Sequence, residues 1–279
     1  MKTGLHQFEG TPVELIARLE LAQHEDGKAE RRGTAFGCGA GILFFLGVGL
    51  LGLSTDISWL AWPGAFCLVG AVVCVPFFFR ADSHDLEDSR YLEPLRFLRV
   101  LRTDLPADRP IRLKVDFRDY PWRELQVSRT PEGGGRTRLT YRQPWLEFQG
   151  RLADGARLCL EVVRKAERLE SYKTRRGKTR RRWRDKVEDR ITLQLQVPGL
   201  DLGNLVANLS PALPSGMTGR DMKIQGDTVR MVVGTPQTRR SMNQNLGPQD
   251  LASGDRLLAL LLWVYQGVQR LRSSASQAG

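Results

Sequence analysis

Between Tyr172 and Arg184 the chain carries eight basic side chains and no acidic one: Lys173, Arg175, Arg176, Lys178, Arg180, Arg181, Arg182 and Arg184, with Tyr172 and Trp183 interleaved. A row of this kind can hold phosphates or carboxylates, and its two aromatic rings suit a membrane interface or a stacked base. The other residues that could do chemistry fail on spacing. Of the four cysteines, Cys38, Cys67 and Cys74 sit in apolar runs and Cys159 stands alone, so neither a disulfide framework nor a zinc pattern emerges. His6, His24 and His84 are scattered. Gly133, Gly134 and Gly135 lack the helix start and the Lys-Ser/Thr pair that a phosphate cradle needs, and their setting is that of a hairpin turn. With no Ser/His/Asp set, acidic pair or P-loop in view, the chain is expected to be no enzyme, with no catalytic residue, cofactor or metal.

The basic row has to be positioned by the strands that carry it. From Arg157 no stop signal appears until Arg176-Gly177, and the return arm runs from Lys178 to Val197 before Pro198-Gly199. Arms of ~17 residues would reach ~55 Å, where strands of ~5–6 residues are usual. With Arg176-Gly177 in the turn, Leu158 faces Leu195, Leu160 faces Leu193 and Val162 faces Ile191. Further out, Arg164 faces Asp189, Lys165 faces Glu188, Glu167 faces Lys186 and Arg168 faces Asp185. Slipping by two residues keeps the apolar pairs but sets Lys165 against Arg190 and Glu167 against Glu188, or Lys165 against Lys186. Opposite-charge pairs contribute ~0.2–1 kcal/mol each, so they choose the register. At the tip that register sets Lys173 against Arg180 and Arg175 against Lys178. Residues 164 to 190 hold 13 basic and 5 acidic groups, most of the chain's net +11, and the tip needs an anion nearby. The bland reading is a solvated arm. The functional readings are anionic lipid headgroups, an acidic protein, or nucleic acid.

A second feature fixes where this row works. Ala35 to Leu53 contains no charge, and nineteen residues at ~1.5 Å each give ~28 Å, close to a ~30 Å hydrocarbon core. Ile57 to Phe79 is equally uncharged, and only Ser54, Thr55 and Asp56 separate the two runs. This predicts a two-helix transmembrane hairpin over residues 34–80. Lys28, Arg31 and Arg32 precede it, Arg80 follows it, and the loop has no basic residue. The expected topology is therefore an integral protein of the cell (inner) membrane with both ends cytoplasmic. Gly37 and Gly41, Ala61 and Ala65, and Gly70 and Cys74 have the spacing of close helix packing, within the hairpin or in a homo-oligomer.

The flanks complete the architecture. Residues 1–33 hold a helix capped by Thr11 and Glu14 around Pro12, expected to end near Gln23, with Gly27 and Gly33 loosening the link onward. After an acidic linker, Tyr91, Leu92, Leu95, Leu98 and Leu101 form a helical stripe, with Arg90, Arg96, Arg99 and Arg102 on the surface. From Ile111 the period becomes two, and strands over 111–117, 124–130, 136–142 and 145–152 precede the Asp154-Gly155 turn. A short helix over 200–209, a hairpin around Gly226-Asp227, a polar loop over 234–249 and a buried closing helix over 255–272 follow. The fold class is α+β: a two-helix transmembrane hairpin, then a cytoplasmic domain (81–279) of antiparallel β-meander flanked by helices on one face, with the long basic β-hairpin at 157–197. The expected function is a membrane-anchored scaffold or adaptor. A membrane-tethered nucleic-acid binder is the alternative, and an unrecognised membrane-bound enzyme stands behind both.

Overall fold

The computed structural model describes residues 4–53, 59, 61–82, 89–118, 123–175, 178–241 and 252–278. These form two compact units. One comprises Glu20–Leu86; the other comprises Gly4–Leu19 together with Glu87–Gly279.

The second unit is a mixed helix-and-sheet domain built on a nine-stranded antiparallel sheet. Its strands are β1 (Leu5–Gly10), β2 (Ile111–Asp116), β3 (Gln126–Pro131), β4 (Arg136–Arg151), β5 (Arg157–Arg175), β6 (Lys178–Gln196), β7 (Thr218–Gln225), β8 (Thr228–Gly234) and β9 (Thr238–Ser241). They lie in the order β1-β2-β4-β5-β6-β8-β7, with β3 added beside β4 and β9 beside β6. Strands β4 to β6 are a meander, but β8 rather than β7 returns to β6, and β4 rather than β3 lies beside β2. The β5–β6 register is the one chosen by charge: Leu158 pairs with Leu195, Arg164 with Asp189 and Lys173 with Arg180, without a slip along 19 residues.

Burial alternates along these strands. One sheet face carries Leu113, Val115, Leu146, Phe148, Leu158, Leu160, Val162, Ile191, Leu193 and Leu195, all nearly inaccessible to solvent. The helices α3 (Ser89–Leu101), α4 (Leu205–Asn208) and α5 (Gly254–Ala278) pack together beside it. The ring of Phe97 in α3 meets Phe148 edge-on at 5.5 Å, and Leu205 and Leu209 crowd Gly267 of α5. Burying each such aliphatic or aromatic side chain contributes roughly 1.5–3 kcal/mol. The opposite sheet face is mainly polar and half-buried or exposed, with Asp116 and Val163 buried on it.

Several expectations are corrected. The N-terminal segment is not helix alone: Leu5–Gly10 is an edge strand paired with β2. The Thr11/Glu14 capping box is present, with Thr11 N donating to Glu14 Oε2 at 3.0 Å and Glu14 N to Thr11 Oγ1 at 3.4 Å. The helix it opens, α1 (Pro12–Leu53), does not stop at Gln23. Extending a formed helix needs no new nucleus, so a glycine costing ~1 kcal/mol at 27 or 33 does not end it. Arg90 is not on the surface but fully buried. The strands expected at 136–142 and 145–152 are one strand, because a bulge at Pro144 and Trp145 absorbs the missing N–H. The helix expected over 200–209 shrinks to Leu205–Asn208. Part of the expected 234–249 loop is β9, and the rest, from 242, lies outside the described residues.

In the first unit, Thr34–Leu53 of α1 is long and apolar enough to cross a membrane by length and composition. The second apolar run, in α2 (Ala61–Asp82), is a shorter apolar stretch, Ala61–Pro76, that falls below that length, and the connecting residues 54–56 lie outside the described set. A two-span hairpin is therefore not established. The two helices touch at Gly47 and Gly64, where an added Cβ would stand 2.8 Å from Leu68 and 2.9 Å from Leu51. Gly41, one of the expected packing positions, has nothing within 4 Å of such an atom.

Candidate anion-binding face

The long hairpin sorts its charges by face. In an antiparallel pair, residues directly opposite share a face and alternate ones switch. On the face continuous with the core lie Arg164, Arg168, Glu170 and Tyr172 of β5, opposite Asp189, Asp185, Trp183 and Arg181 of β6. These charges are paired. Arg164 Nε donates to Asp189 Oδ1 at 3.0 Å, with both side chains almost fully buried. Arg168 donates twice to Asp185, Nε to Oδ1 and Nη2 to Oδ2, each at 2.8 Å. Its guanidinium also lies 4.4 Å from the centre of the Trp183 ring. Glu170 accepts from Arg181. Of the four charge pairs that choose the register, two are thus buried bidentate bridges on the core side. Lys165 with Glu188, and Glu167 with Lys186, lie on the other face.

That other face is where cations collect. Lys178, Arg180, Arg182, Arg184 and Lys186 occupy five successive same-face positions of β6, all exposed. At ~3.3 Å rise per residue, this row is ~26 Å long with a charge every ~6.6 Å. Among the described residues none of the five makes an ion pair. Beside it, β4 contributes Arg136, Arg138 and Arg142, opposite Ser171, Leu169 and Lys165, and β9 contributes Arg239, opposite Lys186. Glu132 and Glu167 neutralise Arg138. The carboxylates on this face of the hairpin are Glu161, Glu167 and Glu188, all toward its base from Arg184. Lys173 and Arg175 are placed by backbone pairing opposite Arg180 and Lys178, and Arg176, in the turn, lies outside the described residues.

Of the ten residues singled out in the sequence, the described ones are divided between the two faces of the hairpin. Arg181 and Trp183 belong to the paired face, Tyr172 is exposed on that same face, and Lys178, Arg180, Arg182 and Arg184 belong to the cationic one. Sequence reasoning missed Arg136, Arg142, Lys186 and Arg239. Counting back from the Asp154-Gly155 turn without a bulge would put the β4 arginines on the core face. The extra residue at Pro144/Trp145 shifts the pairing by one and turns them outward. Beyond β9, Lys178–Trp183 has no strand on its outer edge among the described residues, and its charges also oppose edge-to-edge pairing.

Elsewhere the titratable groups serve structure. Burial raises the Asp116 carboxyl, but hydrogen bonds from the Arg118 side chain and backbone and from Gln143, with the Arg118 charge, outweigh it and hold the group below the usual carboxylate range. Burial pushes the Cys159 thiol up despite the nearby Arg157, the opposite of an activated nucleophile. Among the described residues no three His, Cys, Asp or Glu side chains converge on a possible metal position. No protein-family model, curated protein or solved structure matches the chain.

Proposed function

We propose that the chain is a membrane-anchored adaptor that lays the cationic face of its long hairpin on an anionic surface, with lipid phosphate headgroups as the primary target. The observation that carries this reading is the run of five same-face cations on β6, none of which makes an ion pair among the described residues. Each Lys or Arg near an anionic leaflet contributes ~1 kcal/mol, so the row suffices without a shaped pocket. Anchoring is supported by Thr34–Leu53, whose side chains Ile42, Phe44, Phe45, Leu46 and Val48 are exposed where a soluble core helix would bury them. With α2 as a second span, the basic flanks Lys28, Arg31, Arg32 and Arg80 favour a cytoplasmic sheet domain.

Nucleic acid is the second reading. It is weakened by the position of the aromatics: Trp183 lies under Arg168 and Tyr172 on the same, paired face, so among the described residues the cationic face offers no adjoining ring on which a base could stack. The test uses full-length protein in zwitterionic nanodiscs, because Leu5–Gly10 and the buried Leu15, Ile16 and Leu19 are part of the sheet unit and a fragment starting near residue 86 would lose them. Binding to anionic but not neutral vesicles, persisting in excess DNA and RNA, is the expected result. Nucleic acid that strips the protein from vesicles would favour the tethered binder.

A further inference from the structure

Just past the end of the cationic row, the sheet opens. β8 stops pairing with β6 at Gly234, opposite Arg190, and β9 begins only at Thr238, opposite Val187. Between them Thr235 alone holds β6. Its N–H donates to the Asp189 carbonyl at 2.8 Å, and its hydroxyl accepts from the Asp189 N–H at 2.9 Å. On the far side β7 bulges between Thr218 and Arg220, where Gly219 has φ +64°. Two glycines leave the opening unfilled. A Cβ on Gly219 would meet nothing within 4 Å, and one on Gly234 nothing nearer than 3.6 Å. The result is a cavity of about 410 Å³, within the ~300–1,000 Å³ range of small-molecule sites. Its charged lining is Lys165, Glu188, Arg190 and Asp221. The register puts all four on the face of the cationic row: Lys165 opposite Glu188, Arg190 opposite Gly234, and Asp221 opposite Val232. Lys165 and Glu188 are half-buried, and Arg190 and Asp221 are exposed. Among the described residues no ion pair joins any two of the four.

We infer that this cavity takes a phosphoethanolamine group, its phosphate between Lys165 and Arg190 and its primary ammonium toward Glu188 and Asp221. Two cations and two carboxylates make the lining neutral, whereas the same-face run from Lys178 to Lys186 is wholly cationic. A bare phosphate would meet two carboxylates here, and a bare amine two cations; each such like-charge contact is unfavourable. A ligand carrying both signs a short distance apart satisfies all four groups. Lys165 and Arg190 are diagonal neighbours on β5 and β6, with Cα atoms ~7–8 Å apart, so two long side chains can converge on one phosphate. A quaternary ammonium fits less well. It has no N–H to donate to a carboxylate and is recognised by aromatic faces, and no aromatic residue lines the cavity. The lipid source of the group rests on the reading of the cationic face as a lipid-binding surface: Glu188 is the next same-face position after Lys186, so a leaflet lying on the row also lies over the cavity. The chemistry of the cavity does not rest on it.

The test uses full-length protein in phosphatidylcholine nanodiscs and vesicles with a constant share of phosphatidylglycerol, the remainder being phosphatidylcholine alone or partly replaced by phosphatidylethanolamine. The replacement should tighten binding about fivefold, the equivalent of ~1 kcal/mol. Asp221→Asn, and Gly234→Val, which fills the cavity without changing charge, should each bring that preference within about twofold of none. Both should still bind the vesicles that lack phosphatidylethanolamine, which shows that they are folded. Asp221→Asn is diagnostic because it removes a negative charge, and a merely electrostatic surface would gain affinity rather than lose a preference. Calorimetric titration with free O-phosphoethanolamine, phosphocholine and inorganic phosphate separates the sources and needs no variant. Binding of the first in preference to the others supports the cavity chemistry and, without a vesicle preference, assigns a soluble ligand; a vesicle preference without it assigns the lipid. Neither preference overturns the inference while binding to anionic vesicles leaves the adaptor reading standing. A vesicle preference that survives both variants also overturns it, since it then reports bilayer packing. If anionic vesicles are not bound at all, the adaptor reading falls and the titration alone decides the cavity.

Discussion

Asp189 ties the long hairpin to the closing helix. Its Oδ1 accepts from Arg164 Nε at 3.0 Å, while its Oδ2 accepts from the backbone N–H of Ala252 at 3.0 Å, two residues before α5 begins. Glu93 receives the N–H of Gly254 at 2.5 Å, so carboxylates from β6 and α3 both meet donors at the positive end of α5. Arg164 and Arg90 in turn flank the buried Trp145 ring, at 5.9 and 5.0 Å from its centre, and Arg90 reaches Gln143 Oε1 at 3.2 Å. Charges that register the hairpin are therefore reused to dock the helix over it.

Removing one partner of a buried pair leaves the other uncompensated. Asp189→Ala should destabilise the sheet unit by about 3–5 kcal/mol, and Arg164→Met/Asp189→Leu by less than Asp189→Ala alone. Urea unfolding followed by tryptophan fluorescence measures both. A double variant as damaged as the single would show that the coupling to Ala252, not the ion pair, dominates.

The hairpin register is tested by cross-linking. Ser171 and Arg182 are directly opposite. With the native cysteines replaced, Ser171→Cys/Arg182→Cys should oxidise readily, while Ser171→Cys/Arg180→Cys, displaced by two residues, should not. Non-reducing electrophoresis gives the answer.

Face, not net charge, should govern anion binding. Arg180→Ser, Arg182→Ser and Arg184→Ser should each weaken binding to anionic vesicles about fivefold, the equivalent of ~1 kcal/mol per cation. Arg181→Ser removes the same charge but from a group paired with Glu170 on the other face, and its effect should stay within twofold. Vesicle co-flotation of the four variants compares them; equal losses would show that the faces are not distinguished.

The β4–β5 turn is clamped to α5 by the Tyr265 hydroxyl, which donates to Asp154 Oδ2 at 2.5 Å, and by Arg272 on the same oxygen at 3.3 Å. Burial and the hydrogen bond to Asp154 raise the Tyr265 phenol above its usual range. Burial alone would raise Asp154, but Tyr265, the Ala156 N–H and Arg272 together lower it. A raised phenol contributes stability that is complete below the ordinary tyrosine pKa of about 10 and is lost as pH rises through the folded value. The depressed carboxyl contributes above about pH 4 and loses its part as pH falls through its folded value. Tyr265→Phe should cost about 1–2 kcal/mol at pH 7 and flatten the alkaline fall in melting temperature.

Gly47 and Gly64 hold the two apolar helices in contact. Gly47→Ala would drive a methyl to 2.8 Å from Leu68 and 3.0 Å from the Gly64 carbonyl oxygen. It should cost about 1–3 kcal/mol, whereas Gly41→Ala, which meets open space, should be neutral or mildly stabilising. Thermal unfolding in detergent separates the two.

What the sequence determined by itself was local and periodic. Arg164, Arg168, Asp185 and Asp189 lie within one hairpin, so their pairing depends on a single turn and a two-residue period, and it is correct over the whole length. The Thr11/Glu14 cap and the Thr34–Leu53 run are equally short-range. Tertiary structure decided what depends on a phase shift or a distant partner. The bulge at Pro144 and Trp145 turned Arg136 and Arg142 onto the cationic face. Trp145 drew Arg90 into the core, because a guanidinium can stack on an indole where solvent is excluded. Leu5–Gly10 and Thr238–Ser241 became strands only because β2 and β6 offered open edges far along the chain. A six- or four-residue segment cannot announce such pairing, since its backbone hydrogen bonds are supplied by residues it does not contain.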